Sequence, residues 1–192
     1  MHRNILVPIL SLTLSLVSMI VMTFNVAARQ TAPLKWQLLS LFTIGESIIV
    51  GFISSFYPFK AIVSAMLTTA AASGSVTMYS ILQTNPKYDL SQLGRALTSA
   101  SIIFALYGFL YIFFPGLVPY SELLYSVGGA ILFSFYLSYH TRMIVTGKHS
   151  KYMMGYKDYV YGAMTLYSDI INMFLYILRI IGSAESGSNR RD

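Results

Sequence analysis

The chain has no cysteine in 192 residues, which excludes disulfides, thiolate metal sites and cysteine nucleophiles. Because that absence fits a reducing or an oxidising compartment equally, it says nothing about location. Charge is the second scarcity. Asp, Glu, Lys and Arg make up 10% of the residues, against roughly 25% in a soluble domain, and 55% of the chain is hydrophobic. With a mean hydropathy of +0.62, this is the composition of a membrane protein, and the length fits one domain. No internal repeat is present. The net charge of +6 does not point to nucleic acid, because the basic residues separate apolar runs instead of clustering as a patch.

The charges divide the sequence into about six runs, each near the roughly 20 residues that a ~30 Å hydrocarbon core requires. They lie between Arg3 and Arg29, Lys35 and Lys60, Lys60 and Lys87, Arg95 and Glu122, Glu122 and Arg142, and Asp158 and Arg179. A barrel strand would alternate polar and apolar residues over about ten positions, and these runs do not, so the predicted fold class is an all-α integral membrane protein. Trp36, Tyr57, Tyr88, Tyr120, Tyr139 and Tyr159 fall at run edges, as an aromatic belt requires. The first run, Ile5 to Ala28, has the basic start of a secretory signal. Its apolar core exceeds the roughly 7 to 15 residues of a signal core, so a mature helix is expected; Pro8 sits where a helix start tolerates it.

Arg29, Lys35, Lys87, Arg95, Arg142, Lys148, Lys151 and Lys157 all fall on one side of such a bundle, which the positive-inside rule makes cytoplasmic. Arg179, Arg190 and Arg191 break that bias if the last run spans fully. A re-entrant or pore-lining last element, returning the C-terminus to the cytoplasmic side, is therefore expected. The transmembrane domain is expected over 1–182, with 183–192, ending in "GSNRRD", as a flexible tail.

Charge inside the membrane is costly, roughly 2.5 to 3.5 kcal/mol on insertion scales, and normally faces a partner or water. Asp169, in "LYSDIINMFLYILRI", is such a charge, flanked by Ser168 and Asn172 as pore-lining residues. Glu46 lies 11 residues after Lys35, or about 16 Å along a helix. It reads either as a protonated acid bonded to a neighbouring helix or as an ion ligand. His140 falls near an interface, where a wetted histidine is common. The small-residue stretch "TTAAASGSVT" reads as close helix packing. Ser73 and Gly74 with His140 loosely resemble a rhomboid protease dyad, but Ala71 stands where that motif has glycine, and no enzymatic activity is expected.

"GAMTLYSDIIN", preceded by "YHTRMIVTGKHSKY" and "YKDYVYGA", resembles the signature of the Bax inhibitor motif family, in particular its lifeguard and Golgi anti-apoptotic branches. "RQTAPLKWQLLSLFTIGESI" and "YSVGGAILFSFYLSYHT" extend the resemblance over nearly the whole chain. Relatives have about seven hydrophobic segments, and the resemblance aligns Ile5 to Ala28 with their second, so the first helix is expected to be missing. It implies an endomembrane protein of the endoplasmic reticulum, Golgi or vacuole that leaks calcium in a pH-sensitive way and dampens cell death, with no cofactor and with calcium as the ion carried. In relatives two aspartates share a proton and an arginine helps latch the pore. Asp169 matches one aspartate, His140 stands in place of the other, and Arg29 matches the arginine. Calcium ligation would fall to Asp169 and Glu46, oxygen donors that suit the ion. With an imidazole in the latch, whose reference pKa is about 6.5, the pair would hold at mildly acidic pH and loosen as pH rises. The alternative is a membrane protein that binds cell-death regulators without transporting anything. Either way the bilayer is the first partner and nucleic acid is not one.

Overall fold

A computed structural model describes residues 6–83, 94–114, 121–146 and 156–188. Lys87, Tyr88, Tyr120, Lys148 and Lys151, whose placement the sequence predicts, lie outside the described residues, as do Arg3, Arg190 and Arg191. Six long helices and one short one follow in order: α1 Leu6–Phe24, α2 Val26–Gln30, α3 Leu34–Ser54, α4 Phe59–Leu82, α5 Gly94–Phe113, α6 Ser121–Thr146 and α7 Tyr159–Ser188. A 3-10 turn, Tyr156–Asp158, leads into α7. No strand occurs among the described residues.

Local chemistry sets the breaks. Asn25 is extended between α1 and α2 and its side chain accepts from the Ala28 amide, capping α2. Pro58, also extended, precedes α4, a position where a missing N–H costs nothing. Four helices, α1, α3, α4 and the Tyr159–Glu185 part of α7, are long and apolar enough to cross a membrane. The apolar part of α5 is shorter, Gly94–Leu110. α6 is long but carries Ser126, Ser134, Ser138, His140, Thr141 and Arg142; its polarity is what brings the site into the bundle.

Apolar side chains such as Leu10, Phe59, Leu67 and Ile103 point outward, as lipid-facing residues should. Lipid gives helices no hydrophobic reason to associate, so contact depends on close backbone approach and polar pairing. α1 shows this directly. Ser11, Ser15, Ser18 and Met22 form its buried stripe, and a Cβ on Gly45 of α3 would lie 2.8 Å from the Ser11 carbonyl oxygen. α7 packs against α3, α4 and α6 and so forms the centre. Ala61 and Ala65 of α4 meet its Phe174 and Leu178, and the Ser134 hydroxyl of α6 meets its Met173 sulfur at 3.2 Å. α4 is tied to α6 by the Ser80–Ser138 hydroxyl pair at 2.6 Å. Arg142 donates to the Gln83 carbonyl at 2.8 Å and the Ser80 carbonyl at 3.3 Å, answering the exposed carbonyls at the α4 C-terminus.

α7 is an uninterrupted helix of 30 residues, about 45 Å long at 1.5 Å per residue. It does not turn back, so of the two forms expected for the last element the re-entrant one is not seen. Gly182 packs on the Tyr57 ring in the α3–α4 turn, placing the C-terminal part of α7 at the end of the bundle opposite Asp158. The helix also runs six residues past the predicted domain edge at 182. Ser183, Ala184 and Glu185 are compatible with a helix, and Gly182 is tolerated inside one. Residues 189–192 of the expected tail lie outside the described residues.

A Cβ on Gly129 of α6 would fall 2.6 Å from the Tyr176 ring of α7. Gly129→Val is therefore expected to lower stability by about 1 to 3 kcal/mol through overpacking, measured by denaturant unfolding in detergent micelles, while Gly74→Val, at an open position, should change it little.

Candidate functional site

α6 and α7 bring His140 and Asp169 together. Nδ1 of His140 lies 2.6 Å from Oδ2 of Asp169, with the histidine side chain 17% and the aspartate side chain 5% exposed. Depth explains why they meet. His140 is six residues before the end of α6 and Asp169 ten after the start of α7, or about 9 and 15 Å from the same end of the bundle. Tyr136 stacks on the imidazole with centroids 5.6 Å apart and Tyr139 meets it edge-on at 5.3 Å, so the ring is held on its own helix as well. Ser168 and Asn172, expected to line a pore, are half-buried, and the Asn172 amide donates to the Ser168 carbonyl at 2.8 Å and to its hydroxyl at 3.3 Å. The Thr141 and Thr69 hydroxyls are buried without a hydrogen-bond partner. A groove of about 520 Å³ between α4 and α7 has Ser73, Thr77 and Ile170 in its wall, one residue from Asp169.

The other predicted residues take separate partners. Arg29, expected at the Asp169 latch, instead lies with its Nε 3.2 Å from Oδ1 of Asp158. The Gln30 amide donates to the same oxygen at 3.2 Å, and the Arg29 guanidinium stands 5.2 Å over the Tyr161 ring. Glu46, half-buried on α3, accepts from the Ser15 hydroxyl of α1, which is the neighbouring-helix form of the two readings. Asp169 and Glu46 thus have separate partners, His140 and Ser15, and among the described residues no group of three or more His, Asp or Glu side chains gathers in a way that would hold a metal. Ser73 donates to the Ala70 carbonyl at 3.2 Å on an exposed face, while His140 is paired with Asp169.

Sequence reasoning missed Asp158, which reads only as the charge bounding a run, and Ser15, although the Ser11, Ser15, Ser18 spacing marks one helical face. Asp158 follows Lys157 in a polar stretch, so nothing in its local pattern reveals burial to 2%.

A polytopic helical membrane protein with an imidazole–carboxylate pair across its two most closely joined helices is the class that fold and site define. Residues 1–186 match the family model Bax1-I, inhibitor of apoptosis-promoting Bax1. The chain is 33% identical over 157 residues to Protein LIFEGUARD 4 of Arabidopsis thaliana, covering 82% of this chain and 61% of that protein. It is 30% identical over 183 residues to Protein lifeguard 3 of Homo sapiens, covering 94% and 57%. With the Golgi anti-apoptotic protein of Vaccinia virus (strain Lister) it shares 31% over 153 residues, covering 80% and 60%. The chain belongs to the Bax inhibitor family, and it spans about three fifths of the length of these curated relatives.

Arg29 and Asp158 are nearly buried, at 9% and 3% of their side chains. Removing one partner of such a pair leaves an uncompensated charge and costs about 3 to 5 kcal/mol, whereas replacing both with apolar groups is often close to neutral. Arg29→Met alone is expected to destabilise by that order, and Arg29→Met with Asp158→Leu to recover most of it, in unfolding measurements on the purified protein; equal losses in the single and double variants would show that the pair contributes nothing.

Proposed function

We propose that the protein is a pH-gated calcium leak pathway of an internal membrane that lowers the calcium content of a store and so restrains cell death. The observation that carries this is the His140–Asp169 contact at 2.6 Å, one proton lying between a nitrogen and an oxygen across α6 and α7. Histidine changes charge near neutrality, and a charged pair holds the two helices more firmly than a neutral imidazole beside a carboxylate. The groups facing the imidazole are Asp169 from α7 and Tyr136 and Tyr139 from its own helix, while Arg142 is turned to the α4 carbonyls. The latch of this reading is closed at mildly acidic pH and loosens as pH rises. Relatives named for lifeguard and Golgi anti-apoptotic activity support the cell-death role and the internal membrane.

A second reading has its own support. Asp169 and Glu46 are each engaged elsewhere, and this favours a protein that acts by binding cell-death regulators in the membrane. Purified protein in liposomes separates the two. Calcium flux is expected to rise from mildly acidic to neutral pH, to be altered by Asp169→Asn, and to lose its pH dependence in His140→Ala. An unchanged pH profile in His140→Ala would remove the latch, and absence of flux at every pH would leave the binding role.

Orientation follows from the same charges once α7 is continuous. We infer from the basic bias that the Arg29, Lys35 and Arg142 end is cytoplasmic and, α7 being continuous, that its C-terminal end lies on the other side, opposite to the sidedness expected for a re-entrant segment. A cysteine introduced in "GSNRRD", in a chain without native thiols, should be protected from an impermeant thiol reagent added on the cytoplasmic side; labelling from that side would reverse the assignment.

A further inference from the structure

The inner face of α5 meets tyrosine rings of α6 along its length. A Cβ on Gly94 would lie 2.8 Å from the Tyr139 hydroxyl oxygen, and Leu97 clusters with Tyr139 and Met143. About one turn on, the Ser101 hydroxyl and the Tyr136 phenol are 2.6 Å apart. Ser101 gives its own proton to the Leu97 carbonyl at 2.9 Å, so it is the phenol that donates to Ser101. Farther along, Phe104 stacks on Tyr125 with centroids 4.3 Å apart. Gly94, Leu97, Ser101 and Phe104 share one face by helical spacing.

Two of these rings are the ones that hold His140. Tyr136 lies over the imidazole at an interplanar angle of 23° and Tyr139 meets it at 64°, while Asp169 reaches Nδ1 from α7. A half-buried phenol takes its direction from the partner of its hydroxyl, so the Ser101 bond fixes the Tyr136 plane and the stack passes that plane to the imidazole. The Nδ1 contact depends on it in turn, because a hydrogen bond weakens steeply once its angle falls below about 120°. We propose that Tyr136 is a positioning residue for the His140–Asp169 pair, set by Ser101, so that the seating of α5 on α6 governs how firmly α6 is joined to α7. Its regulatory consequence rests on the latch reading of that pair, but the geometry it asserts is measured without any ion flux.

The full chain with isotope-labelled histidine, purified in detergent micelles, reports on the pair by NMR at a fixed, mildly acidic pH. The His140 signals are those absent from His140→Ala. In the wild type its carbon-bound ring protons are expected upfield, shielded by the Tyr136 face; unshielded positions would overturn the proposal with no variant involved. Ser101→Ala and Tyr136→Phe should each speed exchange of the Nδ1 proton with water roughly five-fold, the size of one lost hydrogen bond. Because the two residues act in series, the double variant should exchange no faster than either single one. Ser99→Ala, on the exposed side of α5, should leave the rate as it is. Unaltered exchange in both single variants, or additive effects in the double, would overturn the proposal. The expected exchange pattern in a protein that passes no calcium in liposomes would keep Tyr136 in its role and remove only the conduction reading.

Discussion

A charge in hydrocarbon has to be answered by another polar group, and the arrangement of this bundle follows from how its acids are answered. Asp169 meets His140, Asp158 meets Arg29 and Gln30, and Glu46 meets Ser15. Each contact joins residues far apart in the chain, so together they fix which elements are neighbours: α7 with α6, the 3-10 turn before α7 with α2, and α3 with α1. Desolvation makes each contact costly to lose even where its net contribution is small. Register is specified by polar pairs to a degree that apolar contacts between Leu and Ile side chains, equally content against lipid, do not reach.

Close approach is the second condition. Polar pairs of 2.6 Å, such as Ser80–Ser138 and Ser101–Tyr136, need helices whose backbones come near each other. Small residues at Gly45, Gly129, Ala61 and Ala65 allow it. Aromatic rings then fill the space that small residues leave, as Tyr176 does beside Gly129 and Tyr139 beside Gly94. The exterior is correspondingly apolar and the interior comparatively polar, the reverse of a soluble domain.

The helical membrane class, the six long elements and the need of Asp169 for a partner were legible in the sequence, because run length and the cost of buried charge are local properties. That His140 would be the partner came from resemblance, since depth depends on where each helix starts and ends. Both helices are longer than a ~30 Å hydrocarbon core requires, and His140 and Asp169 meet nearer one end of them than the sequence midpoints imply. Arg29 was placed with the wrong acid for the same reason: a charge at the edge of a run looks solvent-exposed until the turn before α7 is seen folding Asp158 inward. Glu46 illustrates the opposite case. Its membrane depth was readable, but its partner Ser15 was not, because serine is too common in apolar helices to stand out.

The two aspartates that neutralise or engage the cationic groups of earlier helices both belong to the segment around α7. During synthesis α1 to α6 therefore enter the bilayer with Arg29 and His140 still unmatched, and the bundle is an incomplete assembly until α7 emerges and inserts among them. A chain cut before Asp158 would leave Arg29 and His140 without the carboxylates they meet in the whole bundle, polar groups on otherwise apolar helices. Completion of the fold and burial of its charges are thus a single late event.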